Sequence, residues 1–187
     1  MDELTLIQSA KGGDAAAWEP LILTYQEQVF RLAYLLIGDP DEAADVAQET
    51  FVRAWHHLGR FDTSKPLRPW LLKIVANLAR NHRRSAGRYL AALTRGFREN
   101  ASIVNDIETR SLMEQQSVDL WRAVQKLNPA DQQIIYLRFF LELTISETAQ
   151  ALTIAEGTVK SRMSRALVRL RKIIQEKYPS VVHGLAE

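Results

Sequence analysis

The stretch from Thr144 to Lys172 constrains the fold more than any other, because it reads as two helices separated by a three-residue turn. Thr144 and Glu147 have the Thr-x-x-Glu spacing of a capping box, in which each side chain serves a backbone amide at the helix start. Ile145, Ala149 and Leu152 would be buried by this short helix. Thr153, Ile154 and Ala155 form the turn, and a second helix begins near Glu156, whose carboxylate suits the positive end of a helix dipole. Val159, Met163, Ala166, Leu167, Leu170, Ile173 and Ile174 give that helix one core stripe. Its other side carries Thr158, Ser161, Arg162, Arg165, Arg169 and Lys172. A capped helix, a tight turn and a cationic amphipathic helix together are a layout that fills a DNA major groove. Hydroxyls and arginines near the helix start suit base edges, and later cations suit phosphates. A basic face alone is equally what a solvated surface helix shows. The capped helix and turn in front of it favour the DNA reading.

Charge along the chain is segregated. The net charge is only +2, yet residues 63–98 hold nine Lys and Arg and no acid, and residues 148–187 hold seven bases against three acids. Residues 1–62 and 99–147 are acidic. Two cationic blocks inside an acidic chain point to two phosphate-facing surfaces.

Helical periodicity runs through almost the whole sequence and strand signals are scarce. A short helix is expected over Leu4–Ala10, ended by Gly12-Gly13. Asp14 then caps a long helix reaching about Ile37, with Trp18, Leu21, Ile22, Tyr25, Val29, Leu32, Ala33 and Leu36 inward. Asp39 is a good N-cap with Pro40 at the first helical position of the next helix, which runs to about Leu58. A third long helix spans Pro66 to about Ala86. Periodicity weakens from Gly87 to Asp106, which reads as a linker. Leu112, Leu120, Val124 and Leu127 line the first helix of a second unit, and Asn128-Pro129 starts its next. The expected fold is all-α: two small helical domains, residues 1–86 and 107–187, joined by a flexible linker at 87–106, the second a helix-turn-helix domain.

The helix over Pro66–Arg84 presents Asn77, Arg80, Asn81, Arg83 and Arg84, and the loop before it adds Phe61, Lys65 and Arg68. Cations beside a loop aromatic suit single-stranded nucleic acid, where bases stack and phosphates meet arginine. Taken singly, Phe61 and Trp70 read more readily as core. On the Pro40–Leu58 helix, Asp45, Gln48, Glu49 and Val52 share one side. Their sign is wrong for phosphate, which leaves either a docking face for a basic partner or a solvated face with Glu49 and Arg53 paired.

No catalytic or metal-binding pattern emerges, and no cofactor is expected. There are no cysteines, so thiolate metal sites and disulfides are excluded. His56, His57, His82 and His183 make no ligand constellation, and neither a glycine-rich phosphate loop nor a nucleophile elbow occurs. With 47% hydrophobic and 25% charged residues the chain suits a core-forming soluble protein. Without a signal segment or a membrane-length apolar run, a cytoplasmic protein with no membrane insertion is expected.

Three motifs in order resemble the extracytoplasmic-function (ECF) sigma factors, the compact two-domain branch of the bacterial sigma-70 family. Asp45-Val-Ala-Gln-Glu-Thr-Phe51-Val-Arg-Ala-Trp55 resembles the family's polymerase-binding helix. Phe61 followed by Pro69 to Asn77 resembles its −10 recognition loop and helix. Leu127 to Asp131 through Glu156 to Arg162 resembles its −35 domain. The likeness spans about Gly12 to Ile174. It implies a promoter-specificity factor for core RNA polymerase that catalyses nothing itself. Asp45, Gln48, Glu49 and Val52 would dock on the β′ clamp helices, with further contact to the β subunit. The Phe61–Arg68 loop and Asn77 would capture a flipped base of the melted −10 strand, with Arg80, Arg83 and Arg84 on adjacent phosphates and Asn81 also against the −10 DNA. Thr158, Lys160, Ser161, Arg162, Ser164, Arg165 and Arg169 would meet the −35 duplex. The linker, with Asp106 and Glu108 at its end, would thread the polymerase, and an anti-sigma factor would be a further partner. Thr153 stands where the family has glycine, Ala155 where it often has proline, and Ala44 where an acid is common. Two other readings are a stand-alone helix-turn-helix regulator and a helical adaptor for acidic proteins.

Overall fold

The computed structural model describes the backbone of residues 2–93, 112–178 and 181, and side chains within that set for 2–82, 116–178 and 181. All regular structure among them is helical. In the first half, α1 (Glu3–Lys11), α2 (Ala15–Ile37), α3 (Pro40–His57) and α4 (Leu67–Leu93) pack together. In the second, α5 (Leu112–Gln125), α6 (Pro129–Ile135), α7 (Ile145–Leu152) and α8 (Glu156–Lys177) do the same.

Each boundary has a local cause. Asp14 accepts from the Ala16 amide and Asp39 from those of Asp41 and Glu42, which satisfies donors that a helix start leaves orphaned. Gly38 ends α2 at φ 89°, a left-handed conformation that favours glycine. Asn128 caps α6 through the Asp131 amide, with Pro129 at the first position.

α2 is the spine of the first half. Leu21, Val29, Leu32 and Ala33 are almost fully buried against Ala43, Ala54 and Leu58 from the α3 side and Leu71 and Val75 of α4. Trp18 meets Phe51 edge-on at 6.4 Å and Trp55 at 5.9 Å, which ties α2 to α3. The Tyr25 hydroxyl donates to Glu3 at 2.6 Å and ties α1 to α2. Burial, reinforced by that bond, pushes the Tyr25 phenol up, so it remains a donor.

Three expectations shift. The third long helix does not stop near Ala86 but continues to Leu93, since an interior glycine such as Gly87 costs a helix only about 1 kcal/mol. Leu120 and Leu167, expected inward, are each 40% exposed. At 3.6 residues per turn, Asp119 and Ala123 of α5, and Ala166 and Leu170 of α8, take the inward line and turn both leucines to its edge. The helix after Asn128 also does not remain α-helical: Tyr136–Phe140 widens into a π turn. The Leu141 amide there reaches back to Tyr136, and Glu142 follows at φ 54°. Most of the 87–106 linker, including Asp106, lies outside the described residues, as do Glu108 and His183.

Candidate nucleic-acid interface

The α7–turn–α8 unit forms as the sequence requires. Thr144 and Glu147 make both arms of the capping box. Thr153 takes φ 57° and ψ 48°, and the Ile154 amide bonds back to the Ala149 carbonyl. A β-branched residue is disfavoured there by roughly 1–2 kcal/mol. Val159, Ala166, Leu170 and Ile174 face the core. Lys160, Ser161, Ser164 and Arg165 are exposed, while Thr158 and Arg162 are half-buried. The Arg165 Nε donates to the Ser161 carbonyl at 3.2 Å, which leaves the far end of the guanidinium for a base edge.

Arg169 is placed differently from its neighbours. Its guanidinium pairs with Asp131 of α6, whose side chain is 3% exposed. Asp131 also accepts from the Asn128 side chain at 2.7 Å. Arg169 therefore clamps α8 onto α6, a role that the position of a cation on a helix face does not reveal.

The loop between α3 and α4 is held from two sides. Asp62 accepts from the Ser64 amide and hydroxyl, which holds its carboxyl below the usual carboxylate range. Lys65 lies 3.5 Å from that carboxylate. From the other side, Lys11 of α1 donates to the Phe61 carbonyl at 2.7 Å. Phe61 itself is 5% exposed and packs on Trp70 with ring centroids 4.8 Å apart. Asn77, Arg80 and Asn81 are exposed along α4. The side chains of Arg83 and Arg84 lie outside the described set.

Arg68 faces the second half of the chain. It donates to the Gln28 side chain and to the Leu141 carbonyl, and α4 packs against α7. A cleft of about 700 Å³ results, with Phe61, Lys65, Trp70 and Lys73 on one side and Gln150, Thr153, Ile154 and Glu156 on the other.

On α3, Asp45, Gln48 and Val52 are exposed and Glu49 pairs with Arg53. Beside them, α2 and α3 form an apolar groove of about 850 Å³ that includes Ile22, Phe30, Ala47, Gln48, Val52 and Trp55. The sequence reading missed the share of α2 in this face. Its signal was Phe30 and Tyr34, one helical turn apart, which lie on the outside with rings stacked at 6.3 Å. No cluster of three metal-binding side chains occurs among the described residues, and no helix there is long and apolar enough to cross a membrane.

A helix-turn-helix and a separate cationic loop-and-helix face on one chain define a two-domain helical DNA-binding protein. Known proteins narrow this further. Residues 21–89 match Sigma-70 region 2 and residues 123–172 match Sigma-70, region 4. The chain is 31% identical over 175 residues to the ECF RNA polymerase sigma factor BldN of Streptomyces coelicolor, covering 92% of this chain and 66% of that protein. It is 30% identical over 179 residues to the ECF RNA polymerase sigma factor SigW of Bacillus subtilis, covering 91% of this chain and 95% of that one. Among solved structures, the sigma factor RpoE in complex with the anti-sigma factor NepR from Bartonella quintana matches with a TM-score of 0.67 at 26% identity, covering 85% of this chain and 97% of that one. The chain belongs to the ECF sigma factors of the sigma-70 family. It is an alternative sigma factor directing promoter-specific transcription. Sigma factors are generally non-enzymatic DNA-binding initiation factors.

Proposed function

We propose a division of labour among three surfaces. Asp45, Gln48, Glu49 and Val52, with the apolar α2–α3 groove beside them, dock on the β′ clamp helices of core RNA polymerase. A groove of this kind, edged by acids, suits a helical partner that carries both apolar and basic residues. Lys65, Arg68, Asn77, Arg80 and Asn81 meet the melted −10 strand, with Arg83 and Arg84 on neighbouring phosphates. Thr158, Lys160, Ser161, Arg162, Ser164 and Arg165 read the −35 duplex, while Arg169 keeps α8 seated on α6. Residues 1–86 and 107–187 are the two functional units, and 87–106 join them while threading the polymerase.

The observation that carries this reading is the formed α7–turn–α8 unit with Lys160, Ser161, Ser164 and Arg165 exposed on the second helix. The chain works in the cytoplasm, catalyses no reaction of its own and is restrained by an anti-sigma factor. The complex of RpoE with NepR supports the last point by similarity.

The deciding experiment adds the protein to sigma-free bacterial core polymerase with a promoter library and sequences the transcripts. Initiation at a defined set of promoters is expected. Its absence, together with tight specific duplex binding by the protein alone, would establish a stand-alone regulator instead. Asp45→Ala with Glu49→Ala should weaken binding to core polymerase and leave the helical content unchanged. Unaltered affinity would remove the docking assignment.

A further inference from the structure

Helix α1 lies ahead of the residues that match Sigma-70 region 2, and none of the three proposed surfaces includes it. It is nevertheless tied into the first half at both ends. Near its start, the Tyr25 hydroxyl donates to Glu3 at 2.6 Å. Ile7 and Ala10 are buried in the shared core. Its last residue, Lys11, sends its ammonium to the Phe61 carbonyl at 2.7 Å, 50 residues further along the chain.

A cation in the last turn of a helix commonly serves that helix's own carbonyls and dipole. Lys11 has no such task. The carbonyls of Gln8, Ser9 and Ala10 already accept from the Gly12, Asp14 and Gly13 amides. Gly13 takes φ 98° in this turn, and the Ser9 hydroxyl donates to Asp14 at 2.9 Å. The helix end is complete without the ammonium, which is spent on the loop between α3 and α4 instead.

That loop is fixed on its inner side and free on its outer side. The Phe61 amide donates to the Leu58 carbonyl, the Phe61 ring packs on Trp70, and the Phe61 carbonyl is held by Lys11. A trans peptide is planar, so pinning this carbonyl also sets the direction of the Asp62 N–H, which points the opposite way. The Asp62 amide donates to no protein group among the described residues. Around it, Asp62, Ser64, Lys65 and Pro66 are exposed. A backbone donor with a fixed direction discriminates between base edges better than one that must be ordered on binding.

We infer that Lys11 is a positioning residue for base selection at the −10 element, holding the Phe61–Asp62 peptide so that the loop accepts one base in preference to the others. The inference rests on the assignment of this loop to the −10 strand. In this role Lys11 touches no DNA and acts through the loop backbone, while the exposed side chains stay free to follow the strand.

The test uses holoenzyme assembled from core polymerase and the full chain. A promoter library randomised across the −10 element is transcribed with wild type, Lys11→Met and Lys11→Arg, and base preference is read position by position. At one −10 position the preference for the favoured base should fall about fivefold in Lys11→Met, with the −35 profile intact. Lys11→Arg, which still carries a charged donor, should restore it. In the free chain, amide hydrogen exchange over residues 61–65 should quicken in Lys11→Met and not in Lys11→Arg, with helical content unchanged by circular dichroism. A uniform loss of initiation with every base preference retained would make Lys11 a merely structural residue and overturn the inference. So would a change in preference that Lys11→Arg does not reverse, or exchange that stays at the wild-type rate in Lys11→Met. Asn77→Ala separates the two possible failures. If it alters −10 preference and Lys11→Met does not, the −10 face stands and the positioning role falls. If neither alters it, both fall.

Discussion

The two cationic surfaces differ in what their side chains do before DNA arrives. On α8, Lys160, Ser161, Ser164 and Arg165 stand exposed on a helix already fixed to the core by Val159, Ala166 and Leu170. At the start of α4, the matching groups are occupied by protein: Arg68 by Gln28 and Leu141, Lys65 by Asp62, and Phe61 by Trp70. Under the proposed assignment α8 meets a duplex, which has one regular shape, so its reader can be prebuilt. An unpaired strand has many shapes, and groups that capture it must be able to rearrange.

The sharpest way to test this contrast is to separate brace from reader on α8. Arg169→Ala leaves the buried Asp131 carboxylate with Asn128 but no counter-charge. Because Arg169 is itself half exposed, the loss should be about 2–3 kcal/mol of stability, below the full cost of breaking a buried pair, measured by urea unfolding. An unchanged midpoint would return Arg169 to the DNA-reading set. Arg165→Ala should instead leave the midpoint in place and cost about 1–3 kcal/mol of −35 discrimination, read from promoter selection by the reconstituted holoenzyme. An unaltered promoter profile would refute that role.

Smaller effects probe the loop and the turn. Lys11→Met keeps an aliphatic stem but removes the bond to the Phe61 carbonyl. It should weaken opening at −10 elements by about 1 kcal/mol, roughly fivefold, with −35 preference intact and with Lys11→Arg restoring function. Equal losses at both elements would mean that α1 supports the whole domain rather than the loop. Thr153→Gly relieves a β-branched residue at φ 57° and should raise the unfolding midpoint by the equivalent of about 0.5–1 kcal/mol, after the entropy cost of glycine. A lowered midpoint would show that the threonine side chain contributes more than its backbone costs.

Local signals in the sequence carried most of the helical layout. Asp14, Asp39-Pro40, Asn128-Pro129 and the Thr144–Glu147 box each mark a helix start, because each solves a hydrogen-bonding problem within four residues. The basic face of α8 was readable for the same reason: a helix fixes which residues share a side. Partners that depend on tertiary contact were not readable. Nothing in the spacing of Asp131 and Arg169, or of Arg68 and Leu141, says that they meet across 38 and 73 residues. The π turn also escaped, since its apolar residues fit an ordinary helix equally well. The α2 side of the apolar groove was hidden because Phe30 looks like a core residue until the helix is oriented.

The aromatic pairings have a practical consequence of an optical kind. Of the four tryptophans, Trp18, Trp55 and Trp70 lie in the first half of the chain and only Trp121 in the second, against Tyr136 and Phe140. Trp70 also lines the cleft between the halves and touches the ring of Phe61. With the other indoles changed to phenylalanine, emission from Trp121 would follow the melting of the second half by itself. Emission from Trp70, whose ring touches that of Phe61, would report separately on the loop between α3 and α4.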